Sequence, residues 1–185
     1  ADTGRSVQRL DGRLRDLLAG KKIVMTGVTG FIGEQLLWKI LTELPETRPV
    51  VLVRRKGSAC ARDRMIAVVK KPIFDDLRNA AGGAAELLDA GIDVIEGDLP
   101  NVPQLPADLD IVVHCAGDVS FDPPIDQAFT TNVIGTKALL DRMLEKLYVF
   151  TRHLRRLLPA DRAELPREVQ QNIDMESYRI QQTAS

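Results

Sequence analysis

The sequence predicts an α/β fold, in which parallel strands alternate with helices that cover both faces of one sheet. Short apolar runs of strand length recur at residues 22–26, 50–53, 93–96 and 110–114. Helical patterns separate the first three runs, and a proline-rich loop at 100–106 separates the last two. Strands that alternate with helices pair in parallel. Right-handed crossovers then give the strand order 3-2-1-4, which is a Rossmann-type half-sheet.

The helices follow from apolar spacing and from the residues that interrupt it. The first long helix is predicted over 31–43, and its buried stripe at i, i+4 spacing comprises Ile32, Leu36, Ile40, Leu37, Leu41 and Leu44. Two further helices are predicted at 58–71 and 73–90, separated by Pro72 and interrupted by two glycines at 82 and 83. After the fourth strand, paired prolines precede a long predicted helix over 124–147.

Composition excludes several classes of function. The 25 Lys and Arg residues balance 26 Asp and Glu residues, which argues against a nucleic-acid partner. No apolar run approaches the roughly 20 residues that a transmembrane helix needs. Cys60 and Cys115 form neither a disulfide framework nor a CxxC pair, and two histidines do not complete a zinc site. We expect no metal site and a reducing, cytoplasmic compartment.

The strongest chemical signal is the glycine turn, residues 27–33, which joins the first strand to the first long helix. Gly27 allows a sharp turn, Gly30 lets a pyrophosphate approach the backbone, and Gly33 lets the helix pack on the sheet. The helix N-terminus adds free N–H groups and the positive end of the helix dipole. The pattern predicts a dinucleotide site, and the alternative is a merely structural strand–helix turn.

The end of the second strand predicts which dinucleotide binds. A site for NAD carries an acidic residue there for the ribose 2′-hydroxyl, whereas arginine suits a 2′-phosphate. This chain has Arg54, Arg55 and Lys56, and no acidic residue before Asp63. Because a guanidinium clamps phosphate and stacks on adenine, the cofactor expected is NADPH (NADP+). The alternative is a solvated basic loop.

Residues that follow the third and fourth strands are expected at the same edge of the sheet. Asp98 can accept from the adenine amino group, with an ordinary turn or capping role as its alternative. Ala116 and Gly117 leave room for the adenosine ribose. His114 and Cys115 point to opposite faces of their strand, so packing is expected rather than a catalytic pair.

Asn132 lies within the last predicted helix, where asparagine has no advantage in helix propensity. We expect its side chain to hydrogen-bond the backbone of a neighbouring strand, and the alternative is a polar residue facing solvent.

Five motifs carry a resemblance to a known family. They lie at residues 26–33, 51–56, 96–99, 114–122 and 132–136. In these motifs the chain resembles the extended short-chain dehydrogenases/reductases, and more closely the fatty acyl-CoA reductases of the male-sterility group. Residues 71–78 are similar to a segment typical of acyl-CoA reductases, which favours them over thioester-reductase domains. The resemblance covers residues 20–145.

The resemblance implies NADPH-dependent reduction of a long-chain acyl-CoA thioester to an aldehyde, with an alcohol as a further product left open. The alternatives are a thioester reductase domain that acts on carrier-bound acyl groups and a non-catalytic NADP-binding module. The resemblance and the spacing of the glycines together imply a set of cofactor-binding residues. They are Gly27, Thr29, Gly30, Phe31, Ile32, Gly33, Arg54, Lys56, Asp98, Leu99, Ala116, Gly117 and Asn132.

The catalytic residues of that family are not found. Its chemistry uses a Ser or Thr and a Tyr-x-x-x-Lys pair, in which the lysine lowers the pKa of the phenol. In this chain Tyr148 is followed four residues on by Arg152, and Tyr178 by Gln182. The chain alone is therefore expected to be inactive.

Two domains are predicted. Residues 1–148 form an NAD(P)-binding Rossmann domain that begins with a lead-in helix within 1–20. Residues 149–185 form a helical C-terminal tail that resembles the C-terminal end of the same reductases. We expect this tail to be joined across a missing middle segment. The sequence does not indicate an oligomeric state.

Overall fold

The structure, a computed structural model, describes residues 12–144. Its strands are β1 (Ile23–Thr26), β2 (Val50–Val53), β3 (Asp93–Glu96) and β4 (Ile111–His114). Its α-helices are α1 (Gly12–Leu18), α2 (Phe31–Glu43), α3 (Ala61–Val69), α4 (Asp75–Ala81), α5 (Ala84–Gly91) and α6 (Ile125–Phe129). A 3₁₀ turn spans Pro72–Phe74, a π-helical segment spans Thr130–Ile134, and residues 135–144 continue as α-helix.

The four strands form one parallel sheet in the order β3-β2-β1-β4, so the predicted fold is confirmed. Val24 of β1 pairs with Val50 on one side and with Val112 on the other. Every residue of β1 and β2 is buried, whereas β4 is only partly buried along its whole length. The continuous apolar run of β2 is thus a strand covered on both faces, as predicted.

The predicted helices are found, with two subdivisions. The helix expected over 73–90 is divided into α4 and α5, because Gly82 ends α4 in the left-handed region with φ of +90°. The long helix after β4 begins at Ile125 and contains the π-helical segment. The lead-in helix is confirmed over Gly12–Leu18.

The predicted buried side of α2 is wrong at two positions. Ile32 is 69% exposed and Leu36 is 37% exposed, while Leu37, Ile40 and Leu44 are buried as predicted. Gly33 explains the rotation, because a Cβ at this position would lie 2.3 Å from the carbonyl oxygen of Gly27. The helix therefore rests on the glycine turn at position 33, and positions four and seven residues later face the sheet with it.

The chain divides into two compact units, Ala1–Leu139 and Leu140–Ser185. The first unit contains the whole sheet, and the described part of the second, residues 140–144, is helical. Residues 1–11 of the lead-in segment, both tyrosines and the predicted tail over 149–185 lie outside the described residues. Between residues 12 and 144, no helix combines the length and the apolar character that crossing a membrane requires.

Candidate cofactor site

A cleft of about 210 Å³ opens at the carboxyl edge of the sheet, where the segments that follow all four strands meet. Ligands of open α/β sheets bind at this edge. Eight of the predicted cofactor-binding residues line it, namely Gly27, Thr29, Gly30, Arg54, Asp98, Leu99, Ala116 and Gly117. The structure therefore brings together residues from segments 90 positions apart in the sequence.

Five predicted residues do not line the cleft: Phe31, Ile32, Gly33, Lys56 and Asn132. The side chain of Phe31 is 81% exposed at the start of α2, and that of Ile32 also faces solvent. Thr131 lines the cleft in place of its neighbour Asn132.

Gly27 shapes the floor of the cleft. Its φ of +73° lies in the left-handed region, which a side chain strains. A Cβ at Gly27 would also lie 2.4 Å from the backbone nitrogen of Ala116. Glycine is therefore required twice at this position, once for the turn and once for the approach of β1 to the end of β4.

Gly30 begins α2 and completes the turn. Its N–H donates to the carbonyl of Gly27 at 2.9 Å, and its own carbonyl accepts from Glu34 N–H at 3.0 Å. Among residues 12–144, no side chain caps the helix at Gly30, so within this part of the chain its first N–H groups have no side-chain capping acceptor. Such an uncapped N-terminus, at the wall of a cleft, suits an anion.

Arg64, which the sequence did not single out, crosses one wall of the cleft. Its Nη1 donates to the carbonyl of Arg54 at 2.6 Å, and its Nη2 donates to Thr29 Oγ1 at 3.2 Å. The guanidinium thus joins the end of β2 to the glycine turn. Arg54 and Arg64 both line the cleft, so two positive charges meet at this wall.

The two basic residues after Arg54 turn away from the cleft. Arg55 pairs with Glu96 at the end of β3, with 3.0 Å between Nη2 and Oε1. Lys56 and Ala59 exchange two backbone hydrogen bonds of 3.1 Å around Gly57, which has φ of +60°. This tight turn carries Lys56 into solvent, and the predicted basic cluster therefore contributes only Arg54 to the cleft.

Asp98 lines the cleft and also shapes its own turn. Its Oδ1 accepts from Leu99 N–H at 2.9 Å, and its carbonyl accepts from Asn101 N–H at 3.2 Å. Asp98 can therefore stabilise the turn with Oδ1 and still accept a hydrogen bond from the adenine amino group, because the turn does not use Oδ2.

Asn132 holds the loop that follows β4. Its Oδ1 accepts from Asp118 N–H at 2.7 Å, and its Nδ2 donates to the carbonyl of Asp118 at 2.9 Å. The amide side chain therefore pairs with backbone, as expected, but the partner is the loop rather than a strand.

The carboxyl of Asp118 in the same loop is stabilised in its charged form. Hydrogen bonds from Ser120 and Gln127, with the charge of Arg54 nearby, hold the pKa of the Asp118 carboxyl below its usual value.

His114 lies in a chain of hydrogen bonds at the end of β4. Its Nδ1 is 2.6 Å from Thr26 Oγ1, and its Nε2 is 3.0 Å from Thr136 Oγ1. Because the Thr136 hydroxyl donates to the carbonyl of Asn132, it accepts from His114 Nε2–H. Thr26 then donates to Nδ1, which fits a neutral imidazole, and burial lowers the pKa of His114.

Known proteins resemble this chain over the region that contains the cleft. Residues 25–150 match the family described as Male sterility protein, an NAD-binding domain. Fatty acyl-CoA reductase 1 of Xenopus laevis is 35% identical over 142 residues, which cover 71% of this chain and 27% of that protein. Fatty acyl-CoA reductase 1 of Mus musculus is 33% identical over 143 residues, with the same two coverages. The chain thus spans about a quarter of the length of these relatives.

A solved structure is also similar in part. The terminal R domain from the myxalamid PKS-NRPS biosynthetic pathway is 23% identical, with a TM-score of 0.49. The similarity covers 67% of this chain and 32% of that domain.

Proposed function

This chain belongs to the male sterility protein family of NAD-binding domains, and we propose that it is the NADPH-binding part of a fatty acyl-CoA reductase. The family match and the named relatives support an oxidoreductase domain with a nicotinamide cofactor. The proposal adds that the cofactor is NADPH and the substrate a long-chain acyl-CoA thioester. Reduction with one hydride and one proton would release free CoA and an aldehyde.

The observation that carries the cofactor proposal is the pair of arginines at one wall of the cleft. Arg54 follows β2, where dinucleotide sites recognise the 2′ position of the adenosine ribose. Arg64 reaches the same wall from α3. Guanidinium groups bind phosphate bidentately, and no aspartate or glutamate ends β2 to bind a free 2′-hydroxyl.

The rest of the cleft fits the remainder of the cofactor. The uncapped start of α2 at Gly30 offers N–H groups to the pyrophosphate. Ala116 and Gly117 present no long side chain at the place expected for the adenosine ribose. Bound NADPH would supply the hydride, and the described residues would bind and orient it. We propose no catalytic acid or base among residues 12–144.

Titration of the 185-residue chain with NADPH and NADH tests the cofactor proposal. We expect NADPH to bind at least about tenfold more tightly, because charged hydrogen bonds contribute roughly 1.5–3 kcal/mol each. Arg54→Ala should weaken NADPH binding about tenfold or more and leave NADH binding nearly unchanged. Arg64→Ala also removes the hydrogen bond to Thr29 in the glycine turn, so it should weaken the binding of both cofactors, and that of NADPH more. Arg55→Ala is the matched control, because Arg55 pairs with Glu96 and should not affect either cofactor. A preference for NADH would contradict the proposal.

A turnover assay tests the substrate proposal. The chain should bind NADPH but not oxidise it in the presence of a long-chain acyl-CoA, since the Tyr-x-x-x-Lys pair is not found. Turnover with the acyl-CoA would place catalytic groups within this chain. Turnover with an acyl group on a carrier protein alone would instead favour a carrier-dependent thioester reductase.

A further inference from the structure

Glu34 is an acidic residue that lies almost fully buried in the first turn of α2. Only 8% of the residue is exposed, and its N–H donates to the carbonyl of Gly30. Its carboxylate therefore lies within one helical turn of the N–H groups that would receive the pyrophosphate. An uncompensated negative charge there would repel a phosphate and reduce the positive potential of the helix end.

Lys71 supplies the compensating charge. Its Nζ forms an ion pair with Oε2 of Glu34. The side chain of Glu34 is 10% exposed and that of Lys71 is 46% exposed, so the pair is partly buried. Ions in solution screen a partly buried pair less than a surface pair.

The core fixes the position of Lys71. Its N–H donates to the carbonyl of Val68 at 3.0 Å, and its carbonyl accepts from Phe74 N–H at 3.0 Å. Phe74 is completely buried, and Pro72 begins the 3₁₀ turn with a fixed φ. The segment after α3 is therefore anchored by an aromatic side chain, which holds the ammonium of Lys71 beside α2.

We infer that Lys71 is a positioning residue for cofactor binding, whose ammonium neutralises Glu34 so that the start of α2 still attracts a pyrophosphate. The ion pair also joins the first turn of α2 to Lys71, the residue that precedes the 3₁₀ turn over Pro72–Phe74. This inference rests on the proposed function, because it requires a dinucleotide in the cleft.

The test is NADPH titration at low ionic strength of the 185-residue chain and of Lys71→Met, Glu34→Gln and the double variant. Lys71→Met should raise the Kd about two- to fivefold, the change expected for one unpaired charge within a turn of a helix end. Glu34→Gln should lower the Kd or leave it unchanged, and the double variant should return close to the original value. A pair with a merely structural role would weaken binding in both single variants.

Further measurements distinguish a failure of this inference from a failure of the proposed function. The probe 2′-AMP lacks the pyrophosphate, so its Kd should be alike for all four proteins. If the unsubstituted chain binds neither NADPH nor NADH, the proposed function is wrong. If it binds and Lys71→Met binds equally well, or both single variants weaken binding, the inference is wrong. Should circular dichroism show Lys71→Met unfolded, a Kd of Glu34→Gln above the original value overturns the inference.

Discussion

The two sides of the cleft are held by different forces. On the glycine-turn side, which comprises β1 and residues 27–33, the strand is fully buried and backbone atoms approach too closely for a Cβ. On the loop side, residues 115–134, Phe121 is fully exposed and Val119 is 91% exposed. Hydrogen bonds from Asn132 position that loop. Close packing therefore defines one wall, and a few polar contacts define the other.

The largest effect should come from adding a methyl group on the glycine-turn side. Gly27→Ala places a Cβ against the backbone of Ala116 and strains a positive φ, so we expect the free energy of unfolding to fall by about 3 kcal/mol or more. Gly57→Ala is the matched control, because its φ is also positive but none of the described residues lies within 4 Å of a Cβ at this position. It should cost about 1 kcal/mol. Urea unfolding measures both, and equal losses would contradict close packing as the cause.

A smaller effect is expected on the loop side. Asn132→Ala removes both hydrogen bonds to the backbone of Asp118, and because the site is solvent-accessible we expect a loss of about 1 kcal/mol. Amide exchange at Asp118 should become faster. Gln127→Ala, which removes one bond to the Asp118 carboxylate, should leave that exchange nearly unchanged. If the two variants accelerated amide exchange at Asp118 equally, the hydrogen bonds of Asn132 would not be what positions this loop.

The smallest effect should be the pH dependence of the free energy of unfolding that arises from His114, which lies where the two sides meet. Burial lowers its pKa below the value of 6.5. At a pH just below 6.5, His114 therefore binds a proton more readily in the unfolded chain than in the folded one. The contribution of neutral His114 to the free energy of unfolding is complete above pH 6.5 and declines as the pH falls below that value. Urea unfolding at pH 7.5 and 5.5 should show a larger decline for the original chain than for His114→Gln. An equal decline would show that His114 is not the group responsible.

The sequence predicted those parts of the fold that depend on local pattern. Apolar runs located the strands, and the glycine spacing located α2 and the turn, because a Cβ at Gly27 or Gly33 would overlap backbone. The buried face of α2 was predicted correctly at Leu37 and Ile40 and wrongly at Ile32 and Leu36, since its exact rotation depends on where Gly33 touches the turn. Lys56 was assigned to the site because it follows the second strand next to Arg54 and Arg55. The turn at Gly57, which leaves Lys56 outside the cleft, has no periodic signal in the sequence.

Arg64 and Glu34 could not be found from pattern alone. Arg64 bonds to Thr29, which is 35 residues away, and Glu34 pairs with Lys71, which is 37 residues away. In each case two elements that are distant in sequence meet through a crossover between strands. A single charged residue within a helical pattern is usually a solvated one, and its partner becomes evident only when the elements are packed.

The central claim is that NADPH binds at the carboxyl edge of the sheet. Amide chemical-shift mapping of the isotope-labelled chain during NADPH titration tests it most directly. We predict the largest changes at Gly27, Gly30, Arg54, Asp98 and Gly117. We predict none around Asp89 of α5 and Asp93 at the start of β3, which line a second pocket. Saturable changes centred on Asp89 and Asp93, or no change at the glycine turn, would contradict the claim.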